Sequence, residues 1–441
     1  PVSWDVRWLS AVRRPFSRLR NRLLARINAI PATDESRAVL SALTLGWRGD
    51  LFAVDLARRS HSRPSLTSEF SDAGISHILS VSGLHLALVG WLAYRVLASL
   101  LVRVSGLAQL FATRRLAAAL TIPIVLGYSA LTGAELPTVR AACVLTLWLA
   151  AAMCGRRTTL WQGLALSILI VGSPFPQGGS LRLCDPSWLL SIAATIGISF
   201  LRPLDGLRPK ISRLQHRPRL ARSLRWLLAA LDATLGATIL SAPIGAIFFG
   251  RFVATGILAN LLLVPIGELL VLPLGLVGLG LSSVSMWLGS KLLWLALTAT
   301  TVFVWLTAQF ARHGLVFTVP APPLAWLGLF GLGIVLWIRR YPSGRLVCAL
   351  ALVGYLVDWQ RSKSGLRLTA LSVGQGDSLV VEFPNRQVMV IDAGPASDDG
   401  HDAGLSPVTP FLRRRGISHI DWLVMTHAHP DHSGGLPTLL R

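Results

Sequence analysis

The chain has 441 residues, 52% of them hydrophobic and only 14% charged, against about 25% charged in an average soluble domain. That balance excludes an ordinary soluble enzyme and predicts a polytopic membrane protein. Yet the net charge is +21, from 42 Lys and Arg against 21 Asp and Glu. A positive-inside loop bias and a polyanionic partner would both produce such an excess, and charge alone does not choose between them. The four cysteines, Cys143, Cys154, Cys184 and Cys348, form no CxxC pair, which argues against a cysteine zinc site or a disulfide framework.

Residues 1–74 read as a basic N-terminal segment and linker. Trp8, Val12, Phe16, Leu19, Leu23 and Ile27 recur at helical spacing, with Arg13, Arg14, Arg18, Arg20, Arg22 and Arg26 between them. A basic amphipathic helix of this kind is expected at a membrane surface. A polar, Ser-rich stretch from Arg58 to Asp72 follows. The first residue is Pro1 rather than Met, so a longer protein is expected at this end.

Residues 75–358 carry apolar runs in succession, at about 75–101, 116–131, 137–154, 159–172, 187–201, 226–249, 252–283, 286–311, 322–338 and 346–357. A spanning helix needs about 20 residues, so the count is eight to eleven, with 159–172 and 346–357 marginal. The run 252–283 reads as two helices or a broken hairpin. Loop 202–225 has eight Arg or Lys against one acid, Asp205, which predicts a cytoplasmic face; the side taken by the C-terminal domain stays open.

Several polar residues interrupt these runs. His77, Ser82, Gly83 and His85 lie in HILSVSGLHLALV, Glu135 and Arg140 in LTGAELPTVRAACV, Asp185 before Pro186, and Asn260 at the start of NLLLVP. Glu268 stands between Pro265 and Pro273, where one regular helix is not expected. Ionisable groups at membrane depth are costly unless they face protein or water, so these are pathway candidates. Glu268 reads equally well as a protonated structural group.

From Leu366 the pattern turns strand-like: LRLTALSV, SLVVEF and QVMVID are short β-rich runs separated by GQGD and by Pro384 and Asn385. A Gly- and Asp-rich loop near Asp398 to Gly404 and a helix over 408–415 lead to the apolar run Ile420 to Met425. Then comes THAHPDHSGGL, which packs His427, His429, Asp431 and His432 into six residues ahead of a small-residue turn. Imidazole nitrogen and carboxylate oxygen suit a metal such as zinc, at about 2.0 to 2.2 Å. The spacing reads as half of a two-metal site, with His427 and His429 on one ion and Asp431 and His432 on a second.

These motifs resemble two known families. The membrane half is similar to the ComEC-type competence family through HILSVSGLHLALV, LTGAELPTVRAACV, LCDPSWLLSIAATIGI and TILSAPIGAIFFGRFVATGILANLLLVPIGELLVLPLGL, in that order. LSVGQGDSLVV, MVIDAGP and THAHPDHSGGL resemble a metallo-β-lactamase-like domain of αββα type, of which 366–441 would be the N-terminal part; its later ligands would lie past Arg441. In that resemblance Asp392, with Gln375 and Asp377, supports the metal loop. One departure is DPSWLLS, where the competence family reads close to DPxFQLSF.

The fold expected is therefore a polytopic α-helical bundle followed by a partial metallo-β-lactamase-like domain. The resemblance implies an inner-membrane channel for single-stranded DNA in natural transformation, with a metal-dependent phosphodiesterase or nuclease that degrades the other strand. Its cofactor would be a divalent metal, two ions of Zn or Mn, with Asp431 orienting the nucleophile. Partners implied are single-stranded DNA, membrane lipid, a periplasmic or surface DNA receptor and a cytoplasmic translocase or helicase, since the chain shows no Walker motif. An oligomer stays open. So do two other readings: a membrane-tethered metallo-hydrolase of a non-nucleic-acid ester, and a DNA channel whose hydrolase domain is inactive and structural.

Overall fold

The computed structural model describes residues 4–60, 63–103, 113–172, 183–208, 218–361, 365–397 and 402–440, with side chains described from residue 14 onward except at 59, 60, 218 and 361. Part of the basic loop 202–225 and residues 398–401 of the Gly- and Asp-rich loop therefore lie outside the described residues. The chain divides into two compact units. One joins residues 1–192 to 255–315, and the other joins 193–254 to 316–441.

The first unit begins with α1 (Trp4–Asn28), α2 (Asp34–Leu45), α3 (Gly49–Ser60) and α4 (Leu66–Asp72). A 3-10 turn (Ser76–Leu79) leads to α5 (Gly83–Arg103), α6 (Thr113–Leu131), α7 (Leu136–Met153), α8 (Leu160–Gly172) and the start of α9 (Pro186–Phe200). Helices α5 to α8 pack as successive antiparallel neighbours, as short connections favour.

Residues 34–72 are more than a linker. Thr33 caps α2 through its side-chain oxygen, Asp34 and Glu35 fill its first turn, and Gly46 closes it at φ 64°. Val39, Leu40, Ala42 and Leu43 are fully buried against Phe70 of α4 and, from α13 (see below), Ala296 and Phe303. The rings of Phe70 and Phe303 meet edge to face at 5.7 Å. Around this core, Arg58 bridges Glu35 at 2.7 Å and Glu69 at 3.0 Å. Asp55 accepts the Leu66 and Thr67 N–H groups that open α4. The charges around this core thus each have a partner, as removal from water demands.

The second unit contains α10 (Pro218–Phe249) and β1 (Arg251–Val253). The chain then returns to the first unit with α11 (Gly256–Ile266), a π turn (Gly267–Val271), α12 (Leu272–Leu281) and α13 (Met286–Arg312). It finishes in the second unit with β2 (Val316–Thr318), α14 (Leu324–Ile338) and α15 (Ser343–Arg361). Helices α14 and α15 form a hairpin, while β1 and β2 pair antiparallel, Phe252 opposite Phe317.

Among the described residues, seven helices are long and apolar enough to cross a membrane, and Leu160–Gly172 and Leu324–Ile338 are shorter apolar helices. The structure differs from the sequence expectation at two places. The run from Ile75 is broken: residues 80–82 leave helical geometry, and the Ser82 hydroxyl accepts the N–H groups of Leu84 and His85, starting the long helix at Gly83. The run 252–283 is no hairpin, because its first residues are strand and Gly256–Leu281 is one span interrupted by the π turn.

The C-terminal strands are β3 (Arg367–Ala370), β4 (Leu379–Glu382), β5 (Val388–Ile391) and β6 (Trp422–Val424), with α16 (Thr409–Arg414) between β5 and β6 and α17 (Pro430–Ser433) and α18 (Leu436–Leu439) after them. They form a four-stranded sheet in the order β3-β4-β5-β6, antiparallel except for β5 and β6, which run parallel. A parallel pair needs a crossover, and residues 392–421 supply it. Val380, Val388 and Val390 from the sheet bury against Ala403, Val408 and Leu412 of that crossover. At the end of α10, Gly250 turns at φ +63°, and a β-carbon there would lie 2.5 Å from the Arg413 carbonyl carbon. The small sheet after the helical bundle, with its one parallel pair and crossover, agrees with the αββα half-domain expected from the sequence.

Leu43 tests the role of α2. Leu43→Ala is expected to destabilise the protein by about 2–5 kcal/mol, as in other fully buried sites, read as a lowered thermal unfolding midpoint in detergent. A change within about 0.5 kcal/mol, as at a surface position, would return 34–45 to the status of a linker.

Candidate metal centre

Parallel pairing places the ends of β5 and β6 side by side, with Ile391 opposite Val424. Asp392 follows directly, in the left-handed region at φ 54°, a conformation that Asp and Asn tolerate better than most residues. Its N–H donates to the Val424 carbonyl at 2.8 Å, extending the ladder by one bond. The carboxylate, only 2% exposed, then faces the loop that leaves β6.

Three donors converge on it. The Thr426 N–H reaches Oδ1 at 2.8 Å, and the Thr426 hydroxyl and the His432 ring reach Oδ2, the latter from Nδ1 at 2.9 Å. Burial pushes the Asp392 carboxyl up, but the bonds from Thr426 and His432 outweigh it and hold the group below the usual carboxylate range. The bond to Asp392 raises His432 above an ordinary histidine, against a smaller opposing effect of burial and with support from Asp431, Asp392 and Asp377.

These bonds also fix where the ring protons sit. An ionised Asp392 only accepts, so His432 carries its proton on Nδ1. The Thr426 hydroxyl spends its proton on Asp392, so at 3.0 Å it accepts from Nδ1 of His427. Both rings are left with unprotonated Nε2 atoms. One carboxylate thereby sets two tautomers, as carboxylates bonded to the far nitrogen of metal-binding histidines do.

His427, Asp431 and His432 offer ligand atoms that all lie within 4.8 Å of one another. The His427 and His432 rings are 4.0 Å apart between centroids, and Nε2 of His432 lies 3.8 Å from Oδ2 of Asp431. Two imidazole nitrogens and a carboxylate oxygen, partly exposed, with tautomers preset, fit a divalent ion of zinc or manganese type. His429 stands outside this set: it is exposed, precedes α17, and its ring is 5.1 Å from that of His427. The structure therefore gathers His427, Asp431 and His432 into one cluster rather than displaying two separate pairs.

The GQGD turn closes one side. A β-carbon on Gly376 would lie 2.0 Å from the Asp431 carbonyl oxygen, and the Asp377 carbonyl accepts the Gly394 N–H at 3.0 Å. The Asp377 side chain is 75% exposed and 4.0 Å from Nδ1 of His432, while Gln375 is exposed in the same turn. Thr426 was not singled out by sequence. Its signal was its place, one residue before the first histidine and at the end of a strand.

In the membrane half the structure separates the remaining candidates. Ser82, His85 and Glu268 meet: the Ser82 hydroxyl donates to Oε1 of Glu268 at 3.2 Å, and Nε2 of His85 lies 3.2 Å from Oε2. Gly83 makes room for Arg140, since a β-carbon there would be 3.3 Å from the guanidinium. Arg140 is itself buried and donates from Nε to Ser191 at 2.9 Å. The others bond locally or elsewhere. Glu135 precedes α7 and pairs with Arg48 at 2.9 Å. Asp185 accepts the Ser187 N–H at 2.8 Å and so caps α9. Asn260 donates to Gly256 at 2.7 Å, and His77 lies exposed in the 3-10 turn, its carbonyl bonded to Ser80.

Comparison with known proteins defines the class. Residues 56–341 match the family model described as Competence protein, and residues 371–441 match the Metallo-beta-lactamase superfamily. The chain belongs to the competence protein family, with a metallo-β-lactamase domain that implies divalent metal binding. It is 24% identical to "Uncharacterized protein YcaI" of Escherichia coli (strain K12), over 89% of this chain and 50% of that protein. It is also 24% identical to "ComE operon protein 3" of Bacillus subtilis (96% and 52%) and 25% identical to "Competence protein ComA" of Neisseria gonorrhoeae (88% and 51%). The chain thus spans about half the length of the curated relatives it matches. No solved structure matches it.

Asp392→Asn keeps shape but removes the charge that sets both rings. Affinity for Zn²⁺ or Mn²⁺ in the full-length protein is expected to fall about 10- to 100-fold, measured by calorimetric titration. Affinity in the wild type is also expected to fall as the pH is lowered. Protons compete for His432, and its raised value means that competition begins at a higher pH than for an unperturbed histidine. Unchanged affinity in the variant would separate Asp392 from the metal.

Proposed function

We propose that this chain is part of a conduit in the cytoplasmic membrane that takes up single-stranded DNA in natural transformation, and that its metal centre hydrolyses phosphodiester bonds of the strand left behind. The observation that carries this reading is the joining, in one chain, of competence-family helices to a clustered His427, Asp431 and His432 set. The net charge of +21 supports a polyanionic substrate.

Bound at this cluster, a divalent ion would supply charge against the developing phosphate and activate water as a nucleophile. His427 and His432 would present Nε2 to it, their rings held by Asp392 and Thr426. Asp431, with its side chain 49% exposed, would hold the attacking water and accept its proton. A second ion, with His429 among its ligands, would complete the two-ion arrangement expected from the motif. Energy for strand movement would come from a cytoplasmic translocase or helicase, and a surface or periplasmic receptor would deliver the DNA.

The test is cleavage of labelled single- and double-stranded DNA by purified full-length protein with Mn²⁺ or Zn²⁺, beside His427→Ala and Asp431→Ala. Loss of at least about 100-fold in both variants, at the upper end of what indirect metal-site changes produce, is expected. Cleavage that persists in both would remove the metal centre from the reaction. Transformation frequency in cells carrying the same variants reports separately on uptake.

A further inference from the structure

The contact between Ser82, His85 and Glu268 joins two interrupted membrane segments. On one side the chain leaves the 3-10 turn, turns extended at Ser80, stays out of helical geometry through Ser82, and starts α5 at Gly83. On the other, α11 passes into α12 through the π turn Gly267–Val271, with Pro265 before it and Pro273 after it. His85 is fully buried and Glu268 is 3% exposed. Groups that ionise are rare at such positions, and where they occur a stated task is the default reading.

The hydrogen bonds determine which atoms are committed. The Ser82 N–H donates to Nδ1 of His85 at 2.7 Å, so Nδ1 offers a lone pair and the neutral ring bears its proton on Nε2. The Ser82 hydroxyl accepts from the N–H groups of Leu84 and His85 and donates to Oε1 of Glu268. Nε2 of His85 and Oε2 of Glu268 remain, 3.2 Å apart, both out of contact with solvent and neither aligned in a hydrogen bond. Two buried polar atoms in that relation are costly as they stand, and one proton changes the balance between them.

We propose that Ser82, His85 and Glu268 form a proton-binding site whose occupancy controls the tie between α5 and the π turn. Binding forms one O–H bond, at Oε2 of Glu268, with the proton taken from water; release breaks it. Without the proton, a carboxylate faces the Nε2–H of His85 and the Ser82 hydroxyl, and the three groups attract. With it, two donors, Oε2–H and Nε2–H, face each other, and the carboxyl must turn or withdraw. A π turn is a place where a helix can exchange hydrogen-bond register at small cost, and such turns recur at functional sites. Among the described residues, the charged and titratable groups around the pair are Tyr128 from α6, His77 from the 3-10 turn and Arg140 from α7 beyond Gly83; α13 contributes Phe303, which packs on Gly267 and does not ionise.

This site is independent of the metal centre and of the DNA reading, and its test is direct. Infrared difference spectra of the full-length protein in lipid, taken between roughly pH 5 and 9, should show a carboxylic-acid C=O band that disappears as the pH rises. The nearly isosteric Glu268→Gln should remove that band, and Glu268→Asp should restore one. His85→Gln, which takes away the imidazole but keeps an amide donor, should move the pH at which the band is lost. Hydrogen exchange of the segment around Gly267–Val271, corrected for the intrinsic effect of pH, should change over the same interval in the wild type and not in Glu268→Gln. A band absent at every pH, constant at every pH, or retained in Glu268→Gln would overturn the proposal. The Gln variant keeps an acceptor for Ser82, so a folded sample is available even if His85→Gln fails to fold.

Discussion

The bond from His432 to Asp392 exists because two parallel strands end side by side. Pairing of Ile391 with Val424 puts the residues after them within reach of each other, although the crossover separates them in the chain. From there Asp392 organises everything nearby: it holds the Thr426 N–H and hydroxyl, fixes the His432 ring, and through Thr426 fixes the His427 ring. A carboxylate buried this deeply is costly unless it is fully bonded. Histidine rings with preset tautomers, held by a fully bonded partner, are what that requirement produces here.

The membrane half obeys the same rule with a different result. Arg58, Asp55 and Arg140 each have bonding partners. At His85 and Glu268 the rule is met only in part, since each has one side well bonded and one side facing the other. Incomplete pairing in an otherwise well-paired interior sets this contact apart from the structural polar groups around it.

Much of this was legible in the sequence, unevenly. Composition and apolar runs gave the class and most helix positions, and the HxHxDH spacing picked out the loop in which His427, Asp431 and His432 cluster. Pro265 and Pro273 flagged the irregular backbone at Glu268, because a proline in a helix interior removes one of its hydrogen bonds and one at a first turn marks a helix start. What spacing could not tell was convergence. His429 looked equivalent to His427 in the motif, yet only His427 sits beside Thr426 and joins the cluster. Asp185 and Asn260 drew attention as polar residues near apolar runs, and both satisfy backbone groups of their own helices. The reverse error was α2: its cap at Thr33, acidic first turn and closing Gly46 were all visible, but the basic residues before it and the Ser-rich stretch after it drew the whole region toward a linker reading. Burial depends on partners from distant parts of the chain, here Phe303, and no local pattern names them.

Gly250 has one more consequence. At that position the end of α10 meets the backbone of Arg413 with no side chain between them, and Arg413 belongs to the crossover that joins β5 to β6. Side chains flex and absorb small displacements, whereas backbone against backbone behaves as a rigid bearing. The last turn of a membrane-length helix thus meets, backbone to backbone, the crossover that starts at Asp392 and leads into β6, so any residue larger than glycine at position 250 would push on the segment that frames the candidate metal loop.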